Sequence, residues 1–315
     1  ARTGGSVLPR KARFPHHLFK RNADSWSGLS WMHESVALFS TTVKFLLSAV
    51  GNGMVLLTYQ RSRKRMGASV VLYVNLALAD LSCCTLFYPV SIASYFQHAW
   101  QGGSASCAYC GFGYHVLSLC SMLTVTAISS LRYLKVCNYS FYAVWTKAAN
   151  MQKTCCFIWL VAAVWSSFPL LGWGKYILEP PGLSCIVGGG DNQTSVSDTV
   201  YVVCSFSLFT LIPFLIIVVP QCQIICTVAR ASCQVSGERI RNRMNRIEKR
   251  LTWMFFCVSL GFVMAWFPYT MVSFLFFFNK GHQYMALWGF VILGLLAKFS
   301  HVYNPFIYFF INLGF

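Results

Sequence analysis

Apolar runs long enough to cross a bilayer recur along most of this chain, separated by short polar gaps. A hydrocarbon core about 30 Å thick is spanned by about 20 apolar residues in a helix. Charged residues make up only 10% of the sequence and hydrophobic ones 56%, where a soluble domain carries roughly 25% charged residues. The pattern therefore predicts an all-α membrane protein and excludes a soluble one. Seven spans are expected, at 34–59, 69–96, 107–137, 151–171, 199–228, 247–278 and 285–308. Residues 1–33 read as a polar, basic tail without the apolar core of a signal peptide. Residues 34–308 read as the bundle, and 309–315 as the start of a cytoplasmic C-terminal helix.

The net charge of +17 points to topology rather than to nucleic acid. Arg61, Arg63, Lys64 and Arg65 fill one gap, and Arg239, Arg241, Arg243, Arg246, Lys249 and Arg250 fill another. Basic gaps between spans lie on the cytoplasmic side. An odd number of spans then places the N-terminus outside and the C-terminus inside, although the tail itself carries six basic residues. The sequon Asn192-Gln193-Thr194 falls outside and is open to glycosylation.

Inside the spans the informative residues are polar. Lys298 sits in the last run, at a cost of about 3 kcal/mol on insertion scales. A buried amine whose charge is suppressed is a good nucleophile for an aldehyde. Lys44 is expected to snorkel to the outer interface. Asp80 is the one acid of its span, either hydrogen-bonded and neutral or part of an ion or water site. Most of the 14 cysteines read as small buried hydrophobes; Cys107-Ala-Tyr-Cys110 has CxxC spacing, but no second CxxC pair accompanies it, so a structural metal is not expected. Pro213, Pro220 and Pro268 are expected to kink their helices. Neither GxSxG nor HExxH occurs, so a hydrolase or metalloprotease centre has no support.

In order along the chain stand Asn52, Asp80, Arg132-Tyr133, Trp159, Pro213, Trp266, Pro268 and Asn304-Pro305-Phe-Ile-Tyr308. This series resembles the rhodopsin-like G-protein-coupled receptors. Lys298, six residues before Asn304, narrows the resemblance to the opsins. Arg-Tyr-Leu-Lys-Val-Cys at 132–137 and Leu-Leu-Ala-Lys at 295–298 are similar to the neuropsin-like group.

The resemblance implies that Lys298 holds retinal, 11-cis or all-trans, as a Schiff base. It implies that Glu179 is the counterion, because Cys110 occupies the third-span position used by vertebrate visual opsins. It implies a Cys107–Cys185 disulfide, and a pocket lined by Tyr114, His115, Trp266 and Tyr269. Asp80, Arg132, Tyr133, Glu248, Asn304, Pro305 and Tyr308 would serve activation. The implied partner is a heterotrimeric G protein at the plasma membrane, with arrestin and a receptor kinase as further partners. Two residues depart from the family pattern: Leu131 stands where an acid usually precedes the arginine, and Gln221 where a tyrosine is usual. A retinal photoisomerase and a receptor for a diffusible ligand are the alternatives.

Overall fold

The computed structural model describes residues 29–62, 67–97, 100, 102–178, 184–188, 195–233, 239–278 and 283–312. The helices are α1 (Leu29–Ser62), α2 (Val70–Phe96), α3 (Gly103–Cys137), α4 (Tyr139–Trp145), α5 (Ala148–Ser167), α6 (Val196–Phe206), α7 (Ile212–Cys233), α8 (Arg239–Phe278) and α9 (Gln283–Asn312). Among the described residues, six stretches are long and apolar enough to cross a membrane, namely Ser35–Arg61, Val70–Phe96, Gly103–Cys137, Ala148–Leu171, Val196–Thr227 and Trp253–Leu275. With α9 they form a seven-transmembrane bundle of the rhodopsin type.

Helix α3 is the centre of the packing, touching α2, α5, α7 and α8. Helix α1 lies against α2 and α9, and α8 against α9. Two buried clusters divide the interior. One, toward the start of α3, gathers Phe87, Tyr88, Cys107, Cys110, Val116 and Leu117. The other, toward its end, gathers Leu72, Leu76, Val125, Ile128, Met254 and Phe255. Large apolar side chains such as Phe39, Phe157, Leu160, Val219 and Leu275 face outward. Water would penalise such a surface, whereas lipid tails are as apolar as these side chains.

Several elements differ from the expectation. The first helix begins earlier than expected, at Leu29, and α8 runs back to Arg239. Helix α9 continues through residues 309–312, which the sequence pattern assigned to a separate helix. The break expected at Pro213 takes the form of a π turn at Ser207–Leu211, where the Ile212 N–H bonds to the Ser207 carbonyl five residues back. Proline has no N–H to continue the regular ladder, and a one-residue widening just before it absorbs the mismatch. Pro220 remains inside α7. Between α3 and α5, where only a gap was expected, Asn138 caps the short helix α4 by accepting from the Phe141 N–H.

Strands β1 (Lys175–Leu178) and β2 (Cys185–Gly188) form an antiparallel hairpin, with Leu178 opposite Cys185. The hairpin lies against α3.

Candidate functional site

Lys298 projects from α9 with its Nζ 5.9 Å from the centre of the Tyr114 ring on α3. The Tyr88 hydroxyl on α2 donates to the Lys298 carbonyl at 3.1 Å. One turn before the lysine, Gly294 lies beside the Tyr269 ring of α8, which an added Cβ would touch in ordinary contact at 3.5 Å. The Trp266 ring lies 6.3 Å from that of Tyr269, and its Nε1 donates to Ser300 Oγ on α9 at 2.9 Å. Tyr114 is set by Phe87, 5.0 Å away between ring centres, and by a 3.2 Å hydrogen bond with Ser91. Lys298, Tyr114, Trp266 and Tyr269 thus converge on one partly buried aromatic region. His115 does not join them; it pairs with Tyr176 of the hairpin, Nδ1 to hydroxyl, at 3.2 Å.

The hairpin is fastened over this region. Cys107 and Cys185 form a disulfide that joins α3 to β2 across 78 residues, with Cα atoms 5.5 Å apart. Gly111 lets Tyr176 lie against α3, since a Cβ there would come within 2.7 Å of its ring. Burial pushes the Tyr176 phenol well above its ordinary range, with nearby Tyr201 adding to the effect and the Ser166 hydrogen bond opposing it. The phenol therefore keeps its proton and donates it to the Ser166 carbonyl at 2.7 Å. Having one proton to give, it can only accept from His115, which fixes that imidazole as the Nδ1–H tautomer. Glu179 lies outside the described residues, immediately after Leu178.

Below Lys298 runs a polar seam that sequence reasoning only half found. Asp80, 1% exposed, accepts from Ser121 Oγ at 3.1 Å and from Asn304 Nδ2 at 3.1 Å. His301, one turn beyond Lys298, places Nε2 3.9 Å from Asp80 Oδ1 and Nδ1 2.8 Å from the Tyr88 hydroxyl. Neither His301 nor Tyr88 was foreseen. A histidine in an apolar run, three residues after the lysine, was the available signal for the first.

The seam also shows what Asn52 does. Pro305 has no N–H, so the His301 carbonyl four residues before it loses its helical donor. Asn52 Nδ2 and Ser48 Oγ on α1 each donate to that carbonyl at 2.9 Å.

Lys44 corrects an expectation. It does not reach the interface; it is 6% exposed, and its Nζ donates to the Leu295 carbonyl of α9 at 2.8 Å. Ala37, Leu38, Tyr95 and Leu295 pack together where α1, α2 and α9 meet.

At the far end, Arg132 is buried with its guanidinium 4.0 Å from the centre of the Phe255 ring. Leu131 packs against the neighbouring apolar cluster, and Tyr133 is half-buried. Gln221 is 4% exposed and its amide reaches Ser259 Oγ at 3.3 Å and Ser129 Oγ at 3.5 Å. The side chains of Glu248 and Tyr308 lie outside what is described.

A family model described as "7 transmembrane receptor (rhodopsin family)" matches residues 51–308. The chain belongs to that family of G-protein-coupled receptors. Within it the chain is an opsin. It is 34% identical to human (Homo sapiens) Opsin-5 over 96% of this chain and 85% of that protein. It is 30% identical to mouse (Mus musculus) Opsin-3 over 97% and 72% of the respective chains. The crystal structure of squid rhodopsin matches the fold with a TM-score of 0.74 at 22% identity, covering 87% of this chain and 81% of that one. The relatives are receptors, and an opsin of the Opsin-5-like (neuropsin) type is what this multi-pass membrane protein resembles within the family.

Proposed function

We propose that this opsin is a light-sensing receptor that holds retinal covalently on Lys298 and signals through a heterotrimeric G protein. The observation that carries the reading is Lys298 itself: an amine six residues before Asn304, facing Tyr114. The residues fit the group, with a primary amine for an aldehyde and aromatic walls for a polyene. Bound retinal supplies absorption of light and a change of shape on isomerisation.

The chain's own residues supply the rest. Tyr114, Trp266 and Tyr269 shape the wall, and the Trp266–Ser300 bond ties α8 to α9. Pro268, two residues beyond Trp266, gives α8 a point at which to bend. A charged nitrogen on Lys298 is a buried cation and needs an anion. Glu179 takes that role in this reading, because it follows a strand that the disulfide fastens over α3. His115 belongs to the hairpin support of the pocket rather than to its wall. Asp80, Asn304 and Pro305 couple the lysine's helix to α1, α2 and α3.

The Arg132 end faces the cytoplasm, where the basic gaps lie, and residues 1–33 are extracellular at the plasma membrane. A G-protein segment enters beside Arg132, Val136, Gln221, Ile224 and Phe255, which line a crevice there. In this reading Tyr133, Glu248 and Tyr308 serve activation, and arrestin and a receptor kinase are further partners. A second reading, a retinal photoisomerase, is favoured by Leu131 and Gln221, whose side chains are committed to packing and to Ser129 and Ser259.

The test is to add 11-cis or all-trans retinal to the purified protein and record spectra before and after illumination. A light-sensitive band, with retinal fixed to the chain by borohydride, is expected; Lys298→Ala should abolish both. A Lys298→Ala protein that captures retinal as well as the native chain overturns the reading. Light-driven nucleotide exchange on purified G proteins separates receptor from photoisomerase.

A further inference from the structure

We propose that Lys44 sets the proton affinity of the Lys298 nitrogen, acting as a built-in positive neighbour across the α1–α9 seam. The inference rests on retinal attachment at Lys298. Lys44 Nζ is held on the Leu295 carbonyl at 2.8 Å. In an α-helix that carbonyl points along the axis toward the residues three and four further on, which are Lys298 and Phe299. Lys298 thus leaves α9 one turn beyond the carbonyl that holds Lys44, with its own Nζ beside the Tyr114 ring. Ala37, Leu38, Tyr95 and Leu295 pack together around the same turn of α9.

Two like charges anchored one helical turn apart oppose each other's ionisation. The other titratable groups of this region do not cancel the effect. Helix α2 contributes Asp80, Tyr88, Tyr95 and the buried thiols Cys83 and Cys84, α3 contributes Tyr114, α8 contributes Tyr269, and α9 contributes His301. Only Asp80 among these is an acid, and its oxygens are engaged by Ser121 and Asn304 further down the seam. Glu179, proposed above as the counterion, directly follows β1 in sequence. Lys298 therefore answers to two inputs of opposite sign, Glu179 from the hairpin and Lys44 from α1. The second biases the nitrogen toward its neutral, ultraviolet-absorbing state.

The experiment uses the full chain with retinal bound. Condensation of the Lys298 amine with the aldehyde releases water and forms a C=N bond. Borohydride then delivers hydride to the carbon, and a solvent proton completes a secondary amine. Lys44→Gln keeps an N–H donor for Leu295 and removes the charge, and Lys44→Met is the apolar companion. Each should move the midpoint between the visible and ultraviolet forms upward by about 1 to 2 pH units. Lys44→Arg, which keeps the charge, should leave the midpoint near native. In the retinal-free protein the pH profile of borohydride-trapped capture should shift upward in the same variants.

A midpoint unmoved in both neutral variants, or moved as far by Lys44→Arg as by Lys44→Gln, overturns the proposal. Absence of any linkage at Lys298 in the native protein would instead bring down the attachment reading, so the two failures are distinguishable.

Discussion

The His301 carbonyl is the point where one residue's chemistry decides another's identity. Pro305 removes its helical donor, and two side chains from α1 replace it, Asn52 and Ser48. A buried carbonyl left without a donor costs about 1–3 kcal/mol. Either donor alone satisfies the oxygen, so Asn52→Ala and Ser48→Ala should each lower stability by about 1 kcal/mol or less. The double variant should lose more than the sum, because only then is the oxygen left bare. Unfolding midpoints of the four proteins in one detergent give the coupling, and strict additivity would refute this account. Asn52 and Pro305 were both readable as markers in the sequence, but the bond from Asn52 to the His301 carbonyl that Pro305 leaves without a donor was not. It joins positions 249 residues apart and depends on a donor that is missing, which no residue announces. Lys44 shows the same limit with the opposite result. Its charge in an apolar run was visible, and the expected remedy was an escape to the interface. The actual remedy is a carbonyl 251 residues away on α9.

Elements were legible in proportion to how far lipid alone dictates them. Each span could be placed because a membrane helix must be apolar over its length, and a helix covers each of the predicted runs. Ends were less legible: α8 extends through polar residues from Arg239, where no hydrocarbon enforces a pattern. The π turn before Pro213 and the short α4 are answers to local backbone geometry, which hydropathy does not encode. The hairpin was hidden because only four residues form each strand, and its stability comes from being fastened to α3. The disulfide was legible from its family-like position, and it supports a prediction at this scale. Replacing Cys107 and Cys185 together by serine should destabilise the protein by roughly 2–5 kcal/mol. It should also speed hydrogen exchange of the β1–β2 amides well before that of α3. Equal exchange in hairpin and helix after the substitution would mean that the hairpin is held by packing, with Tyr176 on Gly111 sufficient.

Across the whole molecule, α3 connects the lysine region at one end to Arg132 at the other, and the two ends differ in how closely they follow the family pattern. The lysine end has its amine, its aromatic wall and its fastened hairpin. At the Arg132 end, Leu131 contributes to the apolar cluster where an acid would restrain the arginine, and Arg132 rests instead on the Phe255 ring. A cation–ring contact at a partly desolvated site contributes about 1–2 kcal/mol, and it travels with α8, because Phe255 belongs to that helix. An acid at 131 would tie the arginine within α3. Leu131→Glu should therefore favour the closed bundle and lower nucleotide exchange in the dark by about threefold to tenfold, the effect of roughly 1 kcal/mol from a partly buried pair. The uncharged Leu131→Gln variant removes the same apolar packing and should leave dark exchange near the native level. Purified G protein and the three receptors in darkness suffice for the measurement. If Leu131→Gln lowers dark exchange as much as Leu131→Glu does, the leucine acts through its packing, and the missing carboxylate has no part in setting the resting state.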